Sequence, residues 1–176
     1  AMADVLTQFG LGAVTGVDLP KEPDGLVPTP QWKRATRNES WYPGEDLITV
    51  IGQGYLMVTP MQLARMTATL ANRGIPVQPR LLLSKEDSLS GEIIPSNVSS
   101  QPAKPATEAS LDQDQVIQSM TAVMHSPRGT ARASGRRSPY QIAGKTGTAQ
   151  VIGIAQDEDY DESVIPEKFH DHALFI

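Results

Sequence analysis

The sequence predicts a mixed fold, α/β or α+β, in which helices flank a sheet. Two segments carry capping residues ahead of a helical apolar stripe, and between them lie short β-branched runs bounded by Gly and Pro. A hydrophobic fraction of 39% against 20% charged residues gives a globular chain enough material for a core. At 176 residues that core belongs to one domain or a large part of one. Aromatic residues are only 5%, so aliphatic side chains and Met must fill most of it. The net charge of −5 argues against a general nucleic-acid binder, which would present a basic face. Without cysteine there is no disulfide framework and no thiolate metal site. No stretch approaches the roughly 20 apolar residues of a membrane span, and no signal peptide opens the chain. It starts inside an amphipathic pattern (Met2, Val5, Leu6, Phe9) and stops in "ALFI", so a segment of something longer is expected.

The first helix is expected to close at Gly10, where a residue without Cβ takes the left-handed conformation. "TGVDLP" reads as a short strand ended by Pro20, and Lys21 to Pro43 as a long surface connection with one helical turn around Gln31 to Thr36. Trp32, Trp41 and Tyr42 in that connection read as packing residues, the alternative being a cleft rim. Leu47 to Ile51 suit a strand because Thr49 and Val50 are β-branched. Gly52 and Gly54 flank Gln53 in a turn that is structural rather than catalytic. Thr59 is then an N-cap, with Pro60 at the first helical position and Gln62 completing a capping box. Leu63, Met66 and Leu70 form the apolar stripe of that helix, and Asn72, Arg73 and Gly74 end it. "VQPRLLL" reads as another strand. Residues 84–109 are rich in Ser, Pro, Glu and Lys and read as a surface excursion, with a hairpin near "GEII" and poor order towards "SSQPAKPATEA". A second capped helix opens at Ser110 with Gln113, and Val116, Ile117, Met120 and Met124 share one face. The Gly/Arg loop "SPRGTARASGRRSP" follows. Its Arg128, Arg132, Arg136 and Arg137 read first as a solvated loop and second as a site for an anionic partner.

"QIAGKTGTAQVIG", residues 141–153, holds the densest reactive-looking cluster. A phosphate-binding loop would need glycine at position 139, where Pro139 offers no N–H and cannot take a positive φ. It would also need to open a helix, whereas "TAQVIGI" favours extended chain. That reading fails. As a strand, the stretch points Thr146 and Thr148 to one face, two hydroxyls roughly 7 Å apart, with Lys145 and Gly147 on the other. Two hydroxyls beside an ammonium suit recognition of a carboxylate. Gly147 removes a side chain where a ligand can lie against the backbone, and an edge strand offers unpaired N–H groups to an oxyanion.

"AGKTGTAQV" resembles the Lys-Thr-Gly box of the penicillin-binding proteins and serine β-lactamases. "ITVIGQGYLMVTPMQLARMTATLANRGIPVQPRLL" resembles the Gly-Gln-Gly segment and following helix of class B penicillin-binding proteins. "MADVLTQFGLGAVTGVDLP" and "DHALFI" are similar to the elongation-specific members of that class, the transpeptidases of rod-shaped Gram-negative bacteria. The likeness runs in order along nearly the whole chain and is least at 84–109. It implies an antiparallel sheet flanked by helices, the partial penicillin-binding protein/serine β-lactamase transpeptidase fold. Residues 1–176 would then be the C-terminal portion of a single transpeptidase domain.

The resemblance also implies residue roles. Lys145 would orient a serine and supply positive potential; Thr146 and Thr148 would bind the terminal carboxylate of D-alanine or of a penicillin; Gly147 would line the substrate. The Thr148 backbone N–H would be an oxyanion-hole donor. The family's nucleophile lies in Ser-x-x-Lys, yet no serine here has Lys three residues on, and no Ser-x-Asn occurs. Both boxes would lie upstream of Ala1, so this segment alone is expected to be inactive. The activity implied for the complete protein is cross-linking of D-Ala-D-Ala stem peptides by acyl transfer, with β-lactams as inhibitors. A β-lactamase, a D,D-carboxypeptidase or a noncatalytic penicillin-binding sensor are the alternatives. A periplasmic site anchored to the inner membrane by an upstream helix, a membrane glycan polymerase and elongation machinery as partners, and no cofactor complete what the likeness implies. A metal is not expected: His170 and His172, on one face if both lie in a strand, are too few ligands. Asp157, Asp159 and Asp161 have calcium-loop spacing, but Glu162 and Lys168 stand where that loop needs Gly and Glu.

Overall fold

A computed structural model describes residues 2–96, 113–152 and 163–176. The chain divides into two compact units, Ala1–Trp41 with Tyr55–Gln113, and Tyr42–Gly54 with Asp114–Ile176. Mixed helices and two antiparallel strand pairs bear out the expected fold class. No helix among the described residues is long and apolar enough to cross a membrane.

In the first unit, α1 (Met2–Gln8) ends as its sequence indicates: Gly10 takes φ +89°, and Leu11 N–H donates to the Leu6 carbonyl. "TGVDLP" is not a strand. Gly16 has a left-handed φ of +77°, and the Glu22 carboxylate accepts from the Thr15 hydroxyl and from the N–H groups of Thr15 and Gly16, folding the chain on itself. The surface connection contains a full helix rather than one turn. α2 (Pro30–Arg37) is capped by Thr29, whose hydroxyl accepts from Trp32 N–H, and it closes on left-handed Asn38. Trp32 packs on Tyr55 with ring centroids 5.2 Å apart, and Arg37 covers the same ring. Lys33 is buried, and its ammonium donates to the Ser40 carbonyl and faces Glu39 at 3.3 Å.

α4 (Pro60–Ala71) carries the expected capping box. Gln62 N–H donates to Thr59 Oγ1 and Thr59 N–H to Gln62 Oε1, both at 3.1 Å. The helix ends through Asn72, left-handed Arg73 and Gly74. Its innermost residues are polar, however. Gln62 and Thr69 are fully buried, while Leu63, Met66 and Leu70 are half-buried. Gln62 Nε2 donates to the carbonyls of Ala13 and Asp24, so one amide fixes three stretches of backbone. Gly25 must be glycine there: its φ is +64°, and a Cβ would lie 2.8 Å from Gln62 Oε1.

"VQPRLLL" is not a strand either. Pro79 removes one ladder donor, and Leu81 and Leu82 donate their N–H groups to the two oxygens of Asp18 instead of a neighbouring strand. Pairing begins just beyond, where β1 (Ser84–Glu86) and β2 (Ile93–Pro95) form the antiparallel hairpin anticipated within 84–109. Asp87 folds its tip by accepting from the N–H groups of Leu89 and Ser90. "SSQPAKPATEA" and the Ser110 cap lie outside the described residues.

In the second unit the strand expected at Leu47–Ile51 is a helix, α3 (Pro43–Val50). Pro43 pre-sets the first helical turn, Glu45 Oε2 accepts from Tyr42 N–H at 2.7 Å, and the Thr49 hydroxyl satisfies the Glu45 carbonyl. These start signals outweigh the weak β preference of Thr49 and Val50. Gly52 and Gly54 do bracket the following turn with φ of +80° and +76°. α5 (Gln113–His125) buries Met124, with Ile117 and Met120 half-buried on the same side and Val116 exposed. The Gly/Arg loop contains a short helix, α6 (Arg132–Gly135), and β3 (Thr146–Ala149) and β4 (His172–Phe175) form the second strand pair.

Replacing Gln62 with Leu leaves Thr59 N–H and the Ala13 and Asp24 carbonyls without this partner. A loss of about 3 kcal/mol in denaturant-unfolding stability is expected. Asp18 supplies a pH test. The backbone N–H groups of Leu81 and Leu82 hold its carboxyl below the ordinary value. Its contribution is therefore present above the unfolded carboxyl pKa and fades as pH falls through the lower folded one. Asp18→Asn should lose the corresponding part of the acid-dependent stability, read from unfolding midpoints between about pH 5 and pH 2.

Candidate active site

The site is built on β3, and its chemistry is fixed by register. Thr146 pairs with Phe175, Gly147 with Leu174, Thr148 with Ala173 and Ala149 with His172. One residue earlier, Lys145 and Ile176 exchange both backbone bonds, at 2.7 and 3.1 Å. Antiparallel ladders alternate bonded and non-bonded pairs. Gly147 therefore turns its N–H and C=O towards β4, whereas Thr146 and Thr148 turn theirs to the opposite edge. Among the described residues β3 pairs with β4 alone, so that edge carries no neighbouring strand.

Lys145 reaches the same edge. Its exposed ammonium donates to the outward-turned Thr146 carbonyl at 2.6 Å. Thr146 and Thr148 share the face expected of them, Thr148 exposed and Thr146 half-buried. The nearest atom to a Cβ placed on Gly147 would be Leu174 Cβ at 3.9 Å, so the backbone there lies open to close approach. The Lys145 ammonium and the outward peptide groups of Thr146 and Thr148 thus share one exposed strand edge, and the two threonine side chains lie on one face of the same strand. This is a set of donors suited to a carboxylate and a developing oxyanion.

Three residues not singled out in the sequence hold this strand. Gly144 is buried, and its N–H donates to the Met120 carbonyl of α5. His125, the last residue of α5, accepts Ile142 N–H on Nε2 at 3.0 Å, which places the proton of the neutral ring on Nδ1. The Thr130 hydroxyl lies 3.4 Å from that of Thr146. Their sequence signals were a glycine before the lysine, a lone histidine at a helix end and a "GT" inside the arginine loop. None identifies its partner without the fold.

His170 and His172 do not share a strand face. Only His172 lies in β4, while His170 follows a 3₁₀ turn (Glu167–Phe169) and meets the Ile165 carbonyl through Nε2 at 2.7 Å. The Asp157, Asp159 and Asp161 spacing lies outside the described residues.

Residues 1–172 match the penicillin binding protein transpeptidase domain family. The chain belongs to that family. It is 42% identical over 172 residues to the peptidoglycan D,D-transpeptidase MrdA of Acinetobacter baumannii, covering 97% of this chain and 25% of that protein. Among solved structures, Pseudomonas aeruginosa PBP2 in complex with WCK 5153 is 41% identical with a TM-score of 0.70, over 97% of this chain and 33% of that one. Helicobacter pylori PBP2, solved in complex with MreC, is 31% identical with a TM-score of 0.72, over 99% of this chain and 28% of that one. The chain thus spans about a quarter of the curated relatives' length. The elongation-type penicillin-binding protein likeness and the transpeptidase fold stand on these matches.

Gly144 offers a steric test of the strand's seat. A Cβ there would run into the Phe175 ring and lie 2.9 Å from the Ile176 carbonyl oxygen. Gly144→Ala is expected to loosen the β3–β4 pair and lower unfolding stability by about 1–3 kcal/mol. An unchanged denaturation midpoint would contradict this packing.

Proposed function

We propose that residues 1–176 form the C-terminal portion of a single transpeptidase domain and supply the Lys-Thr-Gly wall of a serine acyl-transfer site. The observation that carries this reading is the outward edge of β3, which the Lys145 ammonium shares with the peptide groups of Thr146 and Thr148, the two threonine side chains lying on one face of that strand. In this reading Thr146 and Thr148 hold the terminal carboxylate of the substrate, with Gly147 giving it room. Thr148 N–H donates to the oxyanion, a contribution of about 3 kcal/mol to the barrier for a preorganised donor. Lys145 orients the second-motif serine and supplies the positive potential that favours an anionic substrate.

The chain holds no Ser-x-x-Lys, so the nucleophile belongs to a part of the domain outside these residues. Its hydroxyl adds to the penultimate D-alanine carbonyl, and the C–N bond to the terminal D-alanine breaks. The leaving amine takes up a proton, and an amine of a neighbouring stem peptide then displaces the serine and forms the cross-link. A β-lactam enters by the same addition, its ring amide taking the place of the peptide bond. In this reading the complete protein works at the periplasmic face of the inner membrane, and the MreC complex of the Helicobacter pylori relative supports an elongation-type partner.

The test uses the full-length protein and a fluorescent penicillin. Lys145→Ala should slow acylation roughly a hundredfold while leaving the unfolding midpoint nearly unchanged. Acylation at the wild-type rate would remove Lys145 from the chemistry. Counting cross-linked dimers against free D-alanine separates transpeptidation from hydrolysis.

A further inference from the structure

The arginine loop is a basic platform packed against α5 and joined to the reactive strand. Ala131 N–H donates to the Val123 carbonyl of α5, and Gly129 N–H to Ser126. Gly129 and Gly135 sit so close to the carbonyls of Val123 and Met124 that a Cβ at either position would collide with backbone. Ala131 and Gly135 are consequently buried, while Arg128, Arg132, Arg136 and Arg137 are all exposed. Within residues 128–137 there is no acidic side chain, in a chain whose net charge is −5. Among the described residues no carboxylate forms an ion pair with any of the four. From the middle of this loop Thr130 reaches Thr146 across 3.4 Å, so the platform adjoins the strand that carries Lys145.

We propose that this platform binds a second carboxylate of the peptide substrate, one remote from the scissile bond, while β3 holds the terminal one. The inference rests on the acyl-transfer reading of β3. Guanidinium groups are planar, permanently charged donors that match carboxylates in a bidentate manner, which is why the cluster selects an anion rather than a generic polar group. The contact with Thr146 favours a substrate lying along β3 over a membrane surface. Because the arginines are exposed, their effect weakens with added salt.

The experiment uses full-length protein, with fluorescent penicillin titrating the competent sites in each sample. Two synthetic peptides ending in D-Ala-D-Ala are compared, one with a free side-chain carboxylate and one with that group amidated. The wild type should favour the acid over the amide by about tenfold in kcat/KM, and less at high salt. Arg128→Gln with Arg132→Gln should reduce the ratio towards one, and Arg128→Lys with Arg132→Lys should restore part of it. No preference in the wild type, or one kept in the Gln variant, overturns the proposal. So does a Gln variant that loses only co-sedimentation with phosphatidylglycerol vesicles. If the wild type takes no penicillin at all, the acyl-transfer reading itself has failed.

Discussion

The paired bonds between Lys145 and Ile176 set the phase of everything that follows on β3. Because an antiparallel ladder alternates, this one pair decides which peptide groups are spent on β4 and which face outward. A shift of one residue would turn Thr148 N–H into the sheet and present Gly147 N–H instead, and it would exchange the two faces of the strand. The lysine therefore does two jobs at different ends. Its backbone locks the register, and its side chain crosses to the outward edge and meets the Thr146 carbonyl. Buried Gly144 before it permits close packing against Phe175 and Ile176, and His125 ties the approach through Ile142.

The first unit is held by polar ties as well as apolar burial. Leu11, Val17 and Pro28 are among its buried apolar residues, alongside fully buried Gln62 and Thr69. Gln62, Asp18 and Glu22 each receive or deliver hydrogen bonds for chain that makes no regular ladder. Such ties are costly to leave half-made, so they specify the path of irregular segments more sharply than hydrophobic contact would.

This explains what could be read from the sequence. Capping chemistry is local, and Thr59 with Gln62, Pro60 and Gly10 marked helix ends correctly. The alternation of Lys145, Thr146, Gly147 and Thr148 was equally legible, because strand faces need no partner to be named. "TGVDLP" and "VQPRLLL" looked like strands because the acceptors that divert their N–H groups are carboxylates, Glu22 for one and the distant Asp18 for the other. Leu47–Ile51 misled through β-branched residues whose helix is decided further back, at Tyr42, Pro43 and Glu45. The seat of the site stayed hidden for the same reason: Thr130, His125 and Gly144 matter through partners 15 or more residues away.

Thr148 N–H faces outward on β3, and in the proposed function it becomes an oxyanion donor when the site is occupied. Amide hydrogen exchange in the full-length protein, free and acylated by a penicillin, tests it most directly. Gly147 N–H should be protected in both states, while Thr148 N–H exchanges readily in the free protein and gains protection on acylation. A Thr148 amide already as protected as Gly147 in the free protein, or unchanged on acylation, would contradict the claim.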